Sequence, residues 1–249
     1  MASVDLHFHL LPGVDDGPSV IEESVALAWA AVADGTATVV ATPHVRSDFL
    51  TEVGELGERL HDLRAALWAD GLPLEVRIGA ELGHEMVGRL SQHELETIAQ
   101  GPPGARWLLV EAPFEGIGED FHAATAELRS RGFGVVIAHP ERSADAALDG
   151  ASGLLRELAA GSLAQVNAMS LTGGHGCDAE RAARELVAEG LVAVVASDAH
   201  GPTRPPALGL ACQEMLVHGT PGRMARALTG SSTRGLLTRG MRGASPLAA

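Results

Sequence analysis

The chain reads as an α/β domain whose strands close into a barrel, on three observations. Apolar, Val-rich runs alternate with amphipathic stretches along nearly the whole length, the rhythm of parallel strands joined by crossover helices. The amphipathic stretches end at Gly, where a left-handed cap carries no Cβ penalty. Ionisable and imidazole side chains leave the carboxyl ends of the apolar runs. An open sheet would spread those ends along a line, whereas a barrel gathers them at one mouth.

The elements follow in order. A strand at about 3–8 leads to a helix at about 19–34, ended by Gly35. TATVVATPH is the second strand, and ELGERLHDLRAALWADG is a helix closed by Gly71. PLEVRIGAE and ARWLLVEAP are the third and fourth strands. GEDFHAATAELRSRG is helical with Gly132 as its stop, GVVIAHPER is the fifth strand, and ASGLLRELAAG is a helix. SLAQVNAMSL, DAERAARELVAEG and LVAVVASDAH continue as strand, helix and strand. Residues 206–238 read as helical and the last ten as frayed. No linker, repeat or low-complexity segment interrupts the run, so one domain over 1–249 is expected, with its core at about 4–238.

Composition narrows the function. A length of 249 residues suits a single α/β barrel. With five Phe, three Trp and no Tyr, the core must be built from Ala, Val and Leu. The net charge is −14 and all 18 basic residues are Arg, which argues against non-specific nucleic-acid binding. Cys177 and Cys212 lack a paired spacing, so neither a disulfide scaffold nor a thiolate zinc site is expected. No apolar stretch is long enough to span a membrane. The start MASVDLHFHL lacks the regions of a signal peptide, so a cytoplasmic protein without membrane insertion is expected.

The strand ends carry the chemistry. His7 and His9 point the same way from a strand and can grip one ion. ATPH brings His44, GAE brings Glu81, VEAP brings Glu111, AHPER brings His139, and SDAH brings Asp198 and His200. Asp16, on the first loop, is a ninth candidate. Singly, each has an ordinary explanation: Asp16 could cap the helix beginning near Ser19, and a lone His is commonly a hydrogen-bonded structural residue. Glu81 and Glu111 resist this, because a carboxylate directly after an apolar strand is unfavourable unless paired or metal-bound.

The set of imidazoles and carboxylates without thiolate suits Mn²⁺, Fe²⁺ or Zn²⁺ over Mg²⁺ or Ca²⁺ alone. Nine side chains exceed one coordination sphere, so two or three divalent ions are expected. Three such ions outweigh the four carboxylates of Asp16, Glu81, Glu111 and Asp198. The mouth would then be positive and attract an anion such as a phosphate ester. His61, His93, His122 and His218 lie in helical stretches with polar neighbours and are expected to be solvated. His84 and His175 could approach the mouth but are not expected to be ligands. TGGHGC at 172–177 lacks the spacing and the lysine of a P-loop.

Taken as an ordered set, HFH, PGVDDG, ATPH, GAE, VEAP, AHPER, QVNA and SDAH resemble the PHP (polymerase and histidinol phosphatase) superfamily. Within it they are most similar to the manganese-dependent tyrosine-protein phosphatases of bacterial capsule and exopolysaccharide loci, the CpsB/YwqE type, over about 4–238. That resemblance implies a distorted (β/α)7 barrel carrying three metals, manganese first, with iron, zinc or cobalt as substitutes. His7, His9 and Asp198 would hold the first ion, with Glu81 bridging to the second. Glu111 and His139 would complete the second, and Asp16, His44 and His200 would hold the third. Arg142 in HPER and Arg204 after SDAH match arginines that bind substrate phosphate, and with Asp198 and His200 they form the expected catalytic set. The implied reaction is attack of a hydroxide bridging two ions on phosphotyrosine. Its carrier would be a tyrosine kinase controlling capsule or exopolysaccharide synthesis, or another phosphoprotein.

Two departures touch substrate fit: Val45 stands where relatives often carry a second His, and Met169 makes NAMSL of their NAGSL. A histidinol-phosphate phosphatase would use the same metals and is the closest enzymatic rival. A cysteine-dependent phosphatase would need an Arg six positions after Cys177, where Ala183 stands. An amidohydrolase bridged by a carboxylated lysine has no lysine to use, although mononuclear deaminase forms escape that objection. An inactive regulatory PHP module that binds phosphorylated partners would be expected to lose ligands, and all nine positions are filled.

Overall fold

The computed structural model describes residues 3–50, 52–146 and 150–241. Its strands are β1 (Ser3–Phe8), β2 (Thr36–Ala41), β3 (His44–Val45), β4 (Glu75–Ile78), β5 (Glu81–Leu82), β6 (Trp107–Glu111), β7 (Gly134–Ala138), β8 (Leu163–Asn167) and β9 (Val192–Ala196). Every pairing between them is parallel, in the orders β1-β2-β4 and β3-β5-β6-β7-β8-β9. The nine strands correspond to seven runs. Pro43 interrupts the second run and Gly79 the third, because proline brings no N–H to a ladder, so β3 and β5 prolong β2 and β4. The last run then meets the first at their carboxyl ends, where Asp198 N donates to His7 O and His9 N donates to Ala199 O, both at 2.9 Å.

Helices α1 (Ile21–Ala33), α2 (Leu56–Ala69), α3 (Gln92–Ile98), α4 (Glu119–Ser130), α5 (Ser152–Ala159), α6 (Ala168–Leu171), α7 (Cys177–Ala188), α8 (Leu208–Val217), α9 (Gly222–Arg226) and α10 (Ser232–Arg239) make the crossovers and the end of the fold. The glycine stops hold: Gly35, Gly71, Gly132 and Gly161 all have φ between 71° and 94°. Helix α3 was not expected; a capping box between Ser91 and Glu94 starts it. The helical stretch at 206–238 is broken by Pro221 into α8 and α9, and a π-helical turn at Ala227–Ser231 precedes α10.

Alternation along the strands separates two cores. Leu108 and Val110 join the larger one, between sheet and helices, while Trp107 and Leu109 join a smaller one with Val40, Val136 and Val194. Leu236 and Leu237 of α10 pack on the smaller core, and Trp107 Nε1 donates to Leu236 O at 3.1 Å. Met241 is buried there too, so the expected fraying does not begin at residue 239; residues 242–249 lie outside the described residues. The inward face therefore runs from apolar at one end of the strands to polar at the other: Trp107 and Leu109 lead to Glu111, and Val194 and Ala196 lead to Asp198.

His122 differs from its expectation of solvation. It is buried, and its Nδ1 lies 2.7 Å from Glu157 Oε1. Glu157 also accepts from Thr125, Arg129 and Ser162 at 2.8–2.9 Å, which ties α4 to α5 and to the start of β8. Burial alone would raise the Glu157 carboxyl, but these donors together hold it below the usual carboxylate range.

Candidate metal centre

All nine predicted ligands come together at the polar end of the strands. Glu81 is at the centre: its Oε2 lies 3.1 Å from His7 Nε2, 3.3 Å from His9 Nε2 and 3.0 Å from His44 Nδ1. Its Oε1 lies 2.6 Å from His139 Nε2. Asp198 Oδ1 lies 3.3 Å from His7 Nε2 and 3.4 Å from His9 Nε2. On the outer side Asp16 Oδ1 lies 3.1 Å from His200 Nε2 and 3.5 Å from His44 Nε2, so Asp16 does not cap α1, whose N-cap is Val20. Three groups have ligand atoms mutually within 4.8 Å: His7, His9, Glu81 and Asp198; His9, Asp16, His44 and His200; and His44, Glu81 and Glu111. His139 belongs to none of these and reaches the cluster through Glu81.

The backbone aims two of these residues. Among the described residues His139 (φ 35°) and Asp198 (φ 54°) alone combine a side chain with left-handed backbone. Val136 and Ala138 are the inward residues of β7, so simple alternation would turn His139 outward. The left-handed step swings it back to Glu81.

The donor set fits divalent cations. Among the described residues, Glu81 Oε2, Asp198 Oδ1, His44 Nδ1, His139 Nδ1 and His200 Nε2 are buried without a hydrogen-bond partner. Buried polar atoms are rarely left so, and lone pairs converging from several sides satisfy one another only around a cation. Electrostatics agrees. Burial would raise Glu81 and Asp198, yet the surrounding histidines hold both well below the usual range. Burial, with the Glu81 charge nearby, pushes Glu111 up to about 7, and burial pushes His44 down to about 4. The cluster thus combines ionised carboxylates with a neutral imidazole.

Sequence reasoning missed several supporting side chains. Asp15 accepts from His9 Nδ1 at 2.7 Å and from the His44 N–H at 3.0 Å. Gln165 Oε1 lies 2.9 Å from His7 Nδ1, Gln165 Nε2 donates to Asn167 Oδ1 at 2.8 Å, and Asn167 Nδ2 donates to Asp198 Oδ2 at 2.7 Å. Such partners orient metal-binding imidazoles. Polar residues at alternate positions of an apolar strand, Gln165 and Asn167, were the available signal. Arg46 Nη1 donates to Glu111 Oε2 at 2.7 Å.

Both predicted arginines reach Asp198 Oδ2, Arg142 at 3.3 Å and Arg204 at 2.7 Å. A turn in which His200 N donates to Arg204 O at 2.9 Å sets the second one. Arg142 also borders a cavity of about 570 Å³ with Phe114, His175 and Arg181. His175 lies in no ligand group; Ser170 Oγ is 2.9 Å from its Nδ1. Val45 is buried in the larger core, and Met169 packs on Gly174 of the loop that carries His175.

The model of the family of capsular polysaccharide synthesis proteins CpsB/CapC matches residues 3–235. A putative tyrosine-protein phosphatase CapC of Staphylococcus aureus is 30% identical over 206 residues, 82% of this chain and 79% of that protein. The tyrosine-protein phosphatase YwqE of Bacillus subtilis (strain 168) is 30% identical over 198 residues, 79% of this chain and 77% of that one. A crystal structure from work on YwqE of Bacillus subtilis and CpsB of Streptococcus pneumoniae, described as unique metal-dependent tyrosine phosphatases, superposes with a TM-score of 0.80. Its identity is 28%, over 94% of this chain and 93% of that one. A phosphotriesterase homology protein of Escherichia coli, solved with phosphate in its active site, reaches a TM-score of 0.61 at 13% identity over 94% and 98% of the two chains, a likeness of fold alone. With a strand-end cluster of this kind and a family match over nearly its whole length, the chain belongs to the CpsB/CapC family.

Proposed function

We propose that this chain is a metal-dependent phosphomonoesterase acting on phosphotyrosine in proteins, with a bacterial tyrosine kinase of capsule or exopolysaccharide synthesis as its partner. The reading includes a single catalytic domain in the cytoplasm and manganese as the working metal. The observation that carries it is the convergence of nine imidazole and carboxylate side chains, five of them with orphaned buried atoms, beside two arginines. His7, His9, Asp198 and Glu81 would hold one ion, Glu81, Glu111 and His139 a second, and Asp16, His44 and His200 a third. His44 stands within reach of the second as well, at 4.0 Å from Glu111. Divalent cations bound there supply Lewis acidity for activating water and for offsetting phosphoryl charge.

The protein's own groups do the rest. Arg142 and Arg204 turn from Asp198 Oδ2 to the non-bridging oxygens of the ester, where their forked donors fix the phosphate and oppose its charge in the transition state. Asn167 keeps a donor on Asp198 when they leave. A tyrosine phenolate, with a pKa of about 10, departs more readily than an alkoxide. The test pairs metal content with phosphate release from a phosphotyrosine peptide and from L-histidinol phosphate. Two or three ions with preference for the peptide are expected. Preference for histidinol phosphate would keep the site and refute the substrate; full loading with neither cleaved would refute the enzyme.

A further inference from the structure

Phenylalanine is scarce in this chain, and its placement is uneven. Phe8, Phe121 and Phe133 are buried, whereas Phe49 and Phe114 are 40% and 45% exposed. Both exposed rings sit on loops that leave the polar ends of strands, after β3 and after β6. The Phe49 ring stacks on the His44 imidazole, with centroids 4.9 Å apart and planes 15° apart. The Phe114 ring lies 10° from the plane of His139, centroids 6.3 Å apart. These two imidazoles contact different oxygens of Glu81, so an aromatic ring backs the cluster beside each. The Arg142 guanidinium lies 5.0 Å from the Phe114 centroid while its Nη1 reaches Asp198. One arginine therefore touches both the expected phosphate position and an exposed aromatic ring.

Exposed phenylalanine adds little to folding by burial, yet two of five are kept where a substrate would enter. We propose that Phe114, with Phe49 beside His44, forms an aromatic wall that receives the phenyl ring of an aryl phosphate and so sets a preference for phosphotyrosine over alkyl phosphate esters. The inference rests on the phosphatase reading given above. A phosphate held by Arg142 leaves its ester substituent next to Phe114, where a phenyl ring finds an aromatic partner and a serine methylene does not. Aromatic pairs of this kind change affinity about three- to tenfold.

The test compares wild type, Phe114→Leu and Phe49→Leu, each metal-loaded and with metal content measured. The readouts are kcat/KM for phosphotyrosine and phosphoserine in one peptide framework, and calorimetric Kd for benzylphosphonate and methylphosphonate. Phe114→Leu is expected to lower the tyrosine-to-serine ratio and the benzyl-to-methyl affinity ratio about three- to tenfold, through KM. Phe49→Leu is expected to lower both less, and Phe114→Trp to keep both. Unchanged ratios, or equal losses on both members of each pair, would overturn the wall and leave the rings as shields of His44 and His139. A wild type that cleaves neither peptide would refute the phosphatase reading, and the phosphonate ratios would still decide the wall. Binding of neither phosphonate would overturn both.

Discussion

Replacing Asp15 separates the orienting groups from the ligands. Its carboxylate is almost wholly buried: Oδ2 accepts from His9 Nδ1 at 2.7 Å and His44 N at 3.0 Å, and Oδ1 accepts from Gly17 N at 3.0 Å. Burial would raise this carboxyl, but His9, Gly17 and His44 hold it below the usual range, so it is charged. A carboxylate only accepts, hence His9 carries a proton on Nδ1 and presents Nε2 to Glu81 and Asp198. In Asp15→Asn the amide nitrogen faces either two donors at the Oδ2 position or one at the Oδ1 position. The second arrangement wins and keeps the His9 bond without its charge, which halves it. In Asp15→Ala all three bonds go and the His9 ring is free to turn. Loss of such a partner costs about 10- to 100-fold in metal affinity, about 1.4 to 2.8 kcal/mol. Asparagine is expected at the lower end and alanine at the upper. Competition against a chromophoric chelator, with folding checked by circular dichroism, measures both. An alanine variant that binds metal within threefold of wild type would refute the orienting role.

Three other outcomes follow from particular contacts. Arg142→Ala should retain its metals and lower kcat toward a phosphotyrosine peptide about 100- to 1,000-fold, the usual effect of removing one transition-state donor; metal loss accompanying the drop would point to a structural role instead. Glu157→Ala, which strands Arg129, His122, Thr125 and Ser162, should cost about 3–5 kcal/mol, about 6–20 °C in Tm at this size, read by calorimetry. Asp5 is buried with Oδ2 unpartnered, and burial pushes its pKa from 3.8 to about 6. The folded state therefore binds more protons than the unfolded between those values, and stability falls as pH rises through that window. Asp5→Asn should gain on metal-free wild type between pH 4 and pH 6, by up to about 3 kcal/mol, and hold that margin above. A constant difference in melting temperature across that range would show that Asp5 does not titrate there.

Much of the fold could be read from one-dimensional pattern. Val-rich runs, glycine stops and a polar residue at each strand end were enough to place the barrel-like sheet and to bring all nine candidate ligands to one mouth. What escaped reading depended on partners far away in the chain. His122 looked solvated because its neighbours on α4 are polar, but Glu157, 35 residues on, buries it. Asp15 carries no signal of its own, since nothing local in the sequence shows that it faces His9. Arg204 became assignable once the turn from Gly201 was seen to direct it at Asp198. The split of two strand runs was marked by Pro43 and Gly79, but the continuous apolar pattern concealed it.

The left-handed backbone at Asp198 bears on any attempt to redesign this protein. Taken by itself, that conformation is one that Asn tolerates and Gly adopts freely. The side chain points the other way: its charge sits among His7, His9, Arg142 and Arg204, and the histidines hold it ionised. Relaxing the torsion with Gly would strand those cations, a loss larger than the strain relieved. Redesign guided by backbone torsion alone would therefore choose the residue that weakens the metal-free fold and deletes a candidate ligand in the same step.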